Sequence, residues 1–295
     1  MASAVKKLVV CGGNGFLGSR ICKLGVQRGW EVTSISRSGE PKWEAVTDSK
    51  APPPWARKVS WERADIFAPE TYAPLMRGAN YAVHSMGILL EVDYKGILSG
   101  RDSPLAGLKK VFDGQKPASA PVSTTTPGPA RNTYEAMNRD SAILAAKAAA
   151  EGKVDAFAYI SATAGAPGLP SRYLSTKRQA EQQLAAASES FSAEAAGFPT
   201  PLNRPIFIRA PFLYDVHARP FTAPIAAVAG AGTVLNNFTG GALTGFLGSM
   251  VTKPMKADEV AEAVIEALSD ESVNGAIEVP RLAQLATKGW RNGML

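Results

Sequence analysis

A tyrosine and a lysine four residues apart are the side chains of this sequence with the clearest chemical use. Tyr173 and Lys177 lie in the segment YLSTK, and their spacing places them on one face of a predicted helix. A neighbouring ammonium lowers the pKa of a phenol, so Tyr173 is suited to act as a general acid or base. A hydroxyl from Thr163 or Ser161, at the end of the preceding predicted strand, would orient a substrate carbonyl. Among seven tyrosines a chance match of this short pattern is the competing explanation.

Three glycines spaced three apart lie near the start of the chain. Gly12, Gly15 and Gly18 follow a short apolar strand and open an amphipathic helix near Phe16. Such glycines allow a sharp turn, a close backbone approach to a pyrophosphate and tight helix packing, and the helix N-terminus attracts phosphate. This pattern predicts a dinucleotide site, with a Gly-rich surface turn as the alternative. The residues that form it are Gly12, Gly13, Asn14, Gly15, Phe16, Leu17 and Gly18.

The end of the second predicted strand, Glu31 to Ser36, carries information about the cofactor. NAD-binding folds commonly place an acid there, about 20 residues past the glycines. This chain has Arg37 between Ser36 and Ser38. A guanidinium with flanking hydroxyls favours a 2′-phosphate and therefore NADP(H). NAD(H) remains the alternative, since Glu40 is close and Arg37 could be a solvated loop residue.

Further residues follow the third and fourth predicted strands. Asp65 and Ile66 come after the strand at 58–62, where the aspartate either faces the adenine end of the cofactor or caps the next helix. Gly87 follows the strand at 80–85 and would let the backbone pass close to the cofactor ribose. His84 has no visible carboxylate partner, and we interpret it as a packed side chain.

Strands and helices alternate along the chain. We therefore predict an α/β fold, a doubly wound parallel sheet of the Rossmann type with a small C-terminal substrate lobe. Residues 1–295 form one NAD(P)-binding domain, with the lobe at 212–257. An insertion at 95–133 holds a Pro/Ser/Thr-rich tract that we expect to be a mobile loop.

Composition excludes some classes of protein. Of the 295 residues 45% are hydrophobic, enough for a sizeable core. The net charge of +6 is spread along the chain, which suits an anionic cofactor or membrane surface and argues against nucleic acid. Cys11 and Cys22 lack metal-ligand spacing, so we expect reduced thiols and no metal site. No presequence is recognisable.

A run without charged residues extends from Phe221 to Thr252. Its glycines, Pro224 and two asparagines interrupt it, so we do not predict a membrane-spanning helix. It is either a buried substrate lobe or an apolar lid that receives a prenyl tail or lies on a membrane surface.

These motifs together resemble the short-chain dehydrogenase/reductase superfamily, in its extended or atypical branch, over nearly the whole chain. The resemblance rests on the glycine loop, on Asp65, on the Ser161–Thr163 and Tyr173–Lys177 segments, and on the segment RAPFLY at 209–214. It implies that Thr163, Tyr173 and Lys177 are the catalytic triad and that Asn138 helps to hold the lysine through water. Ala210 departs from the branch's usual proline, and the short segment before Tyr173 argues against nucleotide-sugar chemistry.

More narrowly, the chain is similar to a group of fungal and plant mitochondrial proteins. This group includes a subunit of the coenzyme Q biosynthetic complex and, more distantly, an accessory subunit of respiratory complex I. The resemblance implies the matrix side of the mitochondrial inner membrane and work on or near a quinone. Two functions stay open: an NADP(H)-dependent oxidoreductase for a hydrophobic carbonyl or alcohol, and a non-catalytic nucleotide-binding subunit of a membrane-associated complex.

Overall fold

One parallel sheet of seven strands organises the molecule. The computed structural model describes residues 4–88, 133–163, 171–189, 191–215 and 253–294. The strands are β1 (Lys7–Cys11), β2 (Glu31–Ser36), β3 (Val59–Arg63), β4 (Tyr81–His84), β5 (Ala156–Ala162), β6 (Pro205–Ala210) and, last in the chain, β9 (Gly275–Ile277). Their order is β3-β2-β1-β4-β5-β6-β9. Strands β2 and β3 are added on one side of β1 and the later strands on the other, so the order of addition switches sides between β1 and β4. A crevice at such a switch point is where doubly wound sheets bind ligands.

Helices cover both faces of this sheet. They are α1 (Phe16–Gln27), α2 (Ala73–Met76), α3 (Ser141–Glu151), α4 (Ser171–Ser188), α5 (Ala257–Ser269) and α6 (Val279–Asn292), with a π-helical turn at Glu135–Asp140 leading into α3. Alternation along β1 divides the core. Leu8 and Val10 pack on the side of α1, α5 and α6, whereas Val9 and Cys11 pack on the side of α2, α3 and α4. The predicted doubly wound α/β class is confirmed.

A second, two-stranded sheet stands apart from the main one. Here β7 (Leu213–Tyr214) runs parallel to β8 (Met255–Lys256). The uncharged run at 221–252, most of the predicted 212–257 lobe and all but the last residue of the predicted 95–133 insertion lie outside the described residues.

Several elements differ from their predicted form. The proline-rich stretch before β3 holds two 3₁₀ turns, Trp43–Ala45 and Pro54–Lys58, because three tryptophans pack there. The Trp43 ring centroid lies 5.6 Å from that of Trp55 and 5.7 Å from that of Trp61. The helix expected after Asp65 is a 3₁₀ turn, Pro69–Thr71, followed by the four-residue α2. Helix α6 was not predicted at all; its buried Leu282 and Leu285 seat it on the α1 side of the core.

Candidate active site

The glycine loop forms a tight turn at the carboxyl end of β1. Gly12 has φ +83°, a left-handed conformation that favours glycine, and its N–H donates to the Ile35 carbonyl on β2 at 2.8 Å. A side chain on Gly18 would collide with the Gly12 carbonyl, so α1 starts directly against the loop. Gly15 caps α1 without a side-chain bond, and no acid lies in the first turn. These features suit a phosphate at the helix N-terminus.

The turn after β2 lies beside this loop. Asn14 Nδ2 donates to Ser38 Oγ at 2.7 Å, which ties the two segments together. Ser36 Oγ donates to the Gly39 carbonyl at 2.9 Å, so the Ser36 hydroxyl shapes the turn. Glu40 is the acidic residue nearest to Arg37 in the sequence. Its carboxylate accepts a hydrogen bond from the indole of Trp43, with Nε1 at 3.0 Å.

Two arginines end β2 and β3 at this same edge. Arg37 is exposed, and Arg63 is the β3 partner of Ser36 in the parallel register. Among the described residues, no carboxylate forms an ion pair with either guanidinium. Arg63 was not among the predicted candidates, because only the strand register places it next to the turn that carries Arg37.

Asp65 and Ile66 follow β3. Asp65 Oδ1 accepts a bond from the Phe67 N–H at 3.0 Å, so the carboxylate braces its own turn. Ile66 is buried in the core on the α3 side. Both residues therefore shape the end of β3, next to the predicted adenine end of the site.

Gly87, Asn138 and Lys177 come together from three separate segments. A Cβ on Gly87 would lie 2.8 Å from Asn138 Oδ1 and 3.0 Å from Lys177 Nζ. Asn138 is fully buried in the π-helical turn. Its side chain accepts from the Ile88 N–H at 3.0 Å and donates to the Ile88 carbonyl at 3.3 Å. The asparagine thus fixes the chain just after Gly87, beside the lysine.

Lys177 is a buried ammonium. Its Nζ donates to the Ile160 carbonyl at 2.8 Å and lies 4.9 Å from the centre of the Tyr159 ring. Burial lowers the pKa of Lys177 to about 7, and the nearby Glu181 carboxylate opposes that shift. The charge of this lysine therefore changes near neutral pH.

Tyr173 lies one turn before Lys177 on α4. Its half-buried ring meets that of Tyr134 edge-on, with centroids 6.1 Å apart. Arg172 forms a forked ion pair with Glu135, both Nη2–carboxylate distances being below 3.0 Å. This pair joins the start of α4 to the start of the π-helical turn. The structure thus brings Tyr173, Lys177 and Asn138 into one region.

The two predicted hydroxyls have different surroundings. The Thr163 N–H donates to the Ala210 carbonyl at 2.9 Å, which places the half-buried Thr163 at the end of β5. Ser161 Oγ donates to Glu181 Oε1 at 2.5 Å and accepts from Arg178 Nη1 at 3.1 Å. The Ser161 hydroxyl thus donates to one side chain and accepts from another within the protein, whereas the bond from Thr163 to Ala210 involves only the Thr163 main chain.

His84 is a buried neutral side chain. Its Nε2 lies 2.9 Å from Ser141 Oγ, and that hydroxyl donates to the Met137 carbonyl at 2.8 Å. Burial, with a smaller effect of the Lys177 charge, lowers the pKa of His84 to about 3. His84 therefore supports the π-helical turn.

Metal-ligand clusters and membrane-spanning helices are both absent from the described ranges. No cluster of three or more His, Cys, Asp and Glu side chains there could hold a metal ion. None of the helices described is both long and apolar enough to cross a membrane.

Comparison with known proteins gives relatives in sequence and in fold. No protein-family model matches the chain. It is 32% identical to MIOREX complex component 2 of Saccharomyces cerevisiae over 94% of this chain and 99% of that protein. It is also 40% identical, over 82 residues, to an uncharacterised chloroplastic protein of Arabidopsis thaliana, which covers 28% of this chain and 25% of that one.

Solved structures with a similar fold bind NAD. UDP-glucuronic acid 4-epimerase of Bacillus cereus, solved with NAD, has a TM-score of 0.53 at 16% identity, covering 92% of this chain and 76% of its own. WbmF of Bordetella bronchiseptica, solved with NAD⁺, has a TM-score of 0.51 at 14% identity, covering 99% and 79%. At these identities the likeness is one of fold, the Rossmann arrangement.

Proposed function

The chain belongs to the family of MIOREX complex component 2, and from that premise we propose that it is an NADP(H)-dependent oxidoreductase of the short-chain dehydrogenase/reductase type. The proposed substrate is a hydrophobic carbonyl or alcohol, and we propose a quinone precursor in ubiquinone biosynthesis as that compound. The observation that carries the proposal is the convergence of Tyr173, Lys177, Asn138 and Gly87 at the carboxyl edge of β4 and β5. This edge adjoins the glycine loop.

The residues present suit a dinucleotide. The glycine loop and the first turn of α1 would hold the pyrophosphate, and Arg37 with Arg63 would hold a 2′-phosphate. Gly87 lets the main chain lie directly against Asn138 and the Lys177 ammonium, since a methyl group there would press on both. A bound nicotinamide would supply or accept the hydride.

The chain's own side chains would manage the proton. Thr163 would orient the substrate oxygen, and the Tyr173 hydroxyl would give its proton to that oxygen during reduction. The Lys177 ammonium, one helical turn away, would lower the pKa of the phenol and stabilise the phenolate that remains. Because Lys177 ionises near pH 7, we expect this assistance to weaken as the pH rises through neutrality.

The sequence relative in yeast supports a second candidate function, that of a non-catalytic subunit. The yeast relative is named as a component of a complex, so a nucleotide-binding subunit that stabilises or regulates a multiprotein complex is the alternative. A mitochondrial location, at the matrix side of the inner membrane, is part of both proposals.

The test combines an NADPH oxidation assay on the purified protein with a complementation assay in yeast. Purified protein is incubated with NADPH and a panel of hydrophobic quinones, ketones and aldehydes, and cofactor oxidation is followed by absorbance. In parallel, Tyr173→Phe is expressed in yeast that lacks the relative. Turnover that disappears in Tyr173→Phe, with failed complementation, supports the enzyme. A Tyr173→Phe variant that complements fully would support the non-catalytic subunit instead.

A further inference from the structure

Tyr159 contacts both Lys177 and Asn138, two residues of the proposed proton-handling site. It lies on β5, fully buried. Its ring centre is 4.9 Å from Lys177 Nζ, and its hydroxyl donates to the main-chain carbonyl of Asn138 at 2.5 Å. One side chain therefore contacts the lysine by its ring and the asparagine by its hydroxyl.

The ring partly compensates for the desolvation of the Lys177 ammonium, which is buried away from water. The electron-rich face of an aromatic ring attracts an ammonium within about 6 Å, most strongly when the cation is desolvated. Lys177 is 4% exposed, so water does not screen this attraction. The other groups that face the ammonium are Glu181 on α4, the Ile160 carbonyl on β5 and the neutral His84 on β4.

The hydroxyl acts on a different target. Burial raises the pKa of Tyr159 well above its usual value, so the hydroxyl stays protonated and remains a donor. A π-helical turn leaves carbonyls poorly matched to the regular helical pattern. The bond from Tyr159 satisfies one of them at Asn138 and fixes the turn against β5. His84 and Ser141 brace the next turn.

We propose that Tyr159 is a positioning residue with two separable parts. The ring keeps the Lys177 ammonium protonated near neutral pH, and the hydroxyl holds the π-helical turn that presents Asn138. The role in catalysis rests on the proposed function above, whereas both physical effects exist in the cofactor-free protein and are measured there.

Two variants separate the two parts. Tyr159→Phe keeps the ring and removes the hydroxyl, and Tyr159→Leu removes both. Because Tyr159→Leu could disturb the core, fluorinated phenylalanines at position 159 form a second series. Each added fluorine weakens the negative potential of the ring face and changes its shape little.

The first readout is the pKa of Lys177, measured by NMR titration of ¹³Cε-labelled lysine. The Lys177 signal is assigned by its loss in Lys177→Arg. We expect a pKa near 7 in the unaltered protein and the same value in Tyr159→Phe. Tyr159→Leu should lower it by about 0.4 to 1.5, and the fluorinated series should lower it stepwise. A Lys177 pKa that stays constant across the fluorinated series would overturn the role of the ring.

The second readout is amide hydrogen exchange in residues 133–140. Loss of one buried hydrogen bond should speed exchange there about fivefold in Tyr159→Phe, with exchange in α5 unchanged as the internal control. Unaltered exchange at 133–140 would overturn the role of the hydroxyl. Neither readout needs cofactor or turnover, so failure of the proposed function leaves both results interpretable.

Discussion

Replacing Arg37 by alanine should remove most of the preference for NADP(H) over NAD(H). Arg37 ends β2, and Arg63, the β3 partner of Ser36, ends the neighbouring strand. No described carboxylate forms an ion pair with either guanidinium, so both charges are available to a 2′-phosphate. NAD(H) lacks that phosphate, so its affinity should change little.

The size of the effect follows from exposure. A hydrogen bond to a charged group contributes about 1.5–3 kcal/mol. Arg37 is exposed, and solvent screening places it at the lower end. We therefore expect Arg37→Ala to weaken NADPH binding about tenfold. Arg63→Ala should have a similar effect, and the double variant less than the product if both contact one phosphate.

Arg57→Ala is the matched control. Arg57 is also exposed but precedes β3 at its opposite end, and β3 alone separates its two ends by roughly 13 Å at about 3.3 Å per residue. That separation exceeds the screening length of about 8–10 Å in ordinary buffer. Isothermal titration calorimetry with NADPH and NADH measures all five proteins, the unaltered chain, the three single variants and the double variant. Equal affinity for the two cofactors in the unaltered protein, or an Arg57→Ala loss as large as that of Arg37→Ala, would refute the reasoning.

Three other predictions test the rest of the site. Tyr173→Phe should abolish hydride transfer while NADPH affinity stays within about twofold, because only the transferable proton is lost; a retained rate would exclude Tyr173 as the proton donor. Thr163→Val should lower kcat/KM, whereas Ser161→Ala should mainly lower stability by about 1–3 kcal/mol, since it leaves Glu181 short of a buried donor; the reverse pattern in kinetics and urea unfolding would contradict the assignment. The pKa of His84 is about 3 in the folded protein against 6.5 unfolded, so the unfolded chain takes up more protons as the pH falls below 6.5. Stability should therefore drop by up to about 1.4 kcal/mol per pH unit between pH 6 and 4, and an equal slope in His84→Gln urea titrations would show that another group is responsible.

Local patterns predicted the glycine turn and the first helix well. The apolar run, the glycines and the start of α1 at Phe16 are adjacent in sequence, so their geometry depends on neighbours that can be read directly. The strand at Glu31–Ser36 was predicted with the bounds that the structure shows. Parallel strands buried on both faces give continuous apolar runs, and Leu8 to Cys11 in β1 form such a run.

Features that depend on distant partners were not predictable. The sequence offers Ser161 and Thr163 as equal hydroxyls, and only the packing of α4 on β5 shows that Glu181 and Arg178 engage Ser161. The π-helical turn likewise has no local signal. It accepts hydrogen bonds from Tyr159 on β5 and from Ser141 at the start of α3, and His84 on β4 contacts that serine. Resemblance to relatives supplied Asn138, since an alanine-rich helix gives one asparagine no special meaning.

The π-helical turn limits where this family can gain or lose residues. It lies between Tyr134, whose ring meets Tyr173, and Ser141, whose hydroxyl meets His84. Both anchors belong to one continuous helix, so a residue deleted between them would rotate one anchor by about 100° relative to the other. Neither anchor could keep its partner after such a rotation. In an alignment of relatives, gaps should therefore fall before Tyr134 or after α3, and the spacing from this tyrosine to the serine should stay fixed even where the side chains between them change.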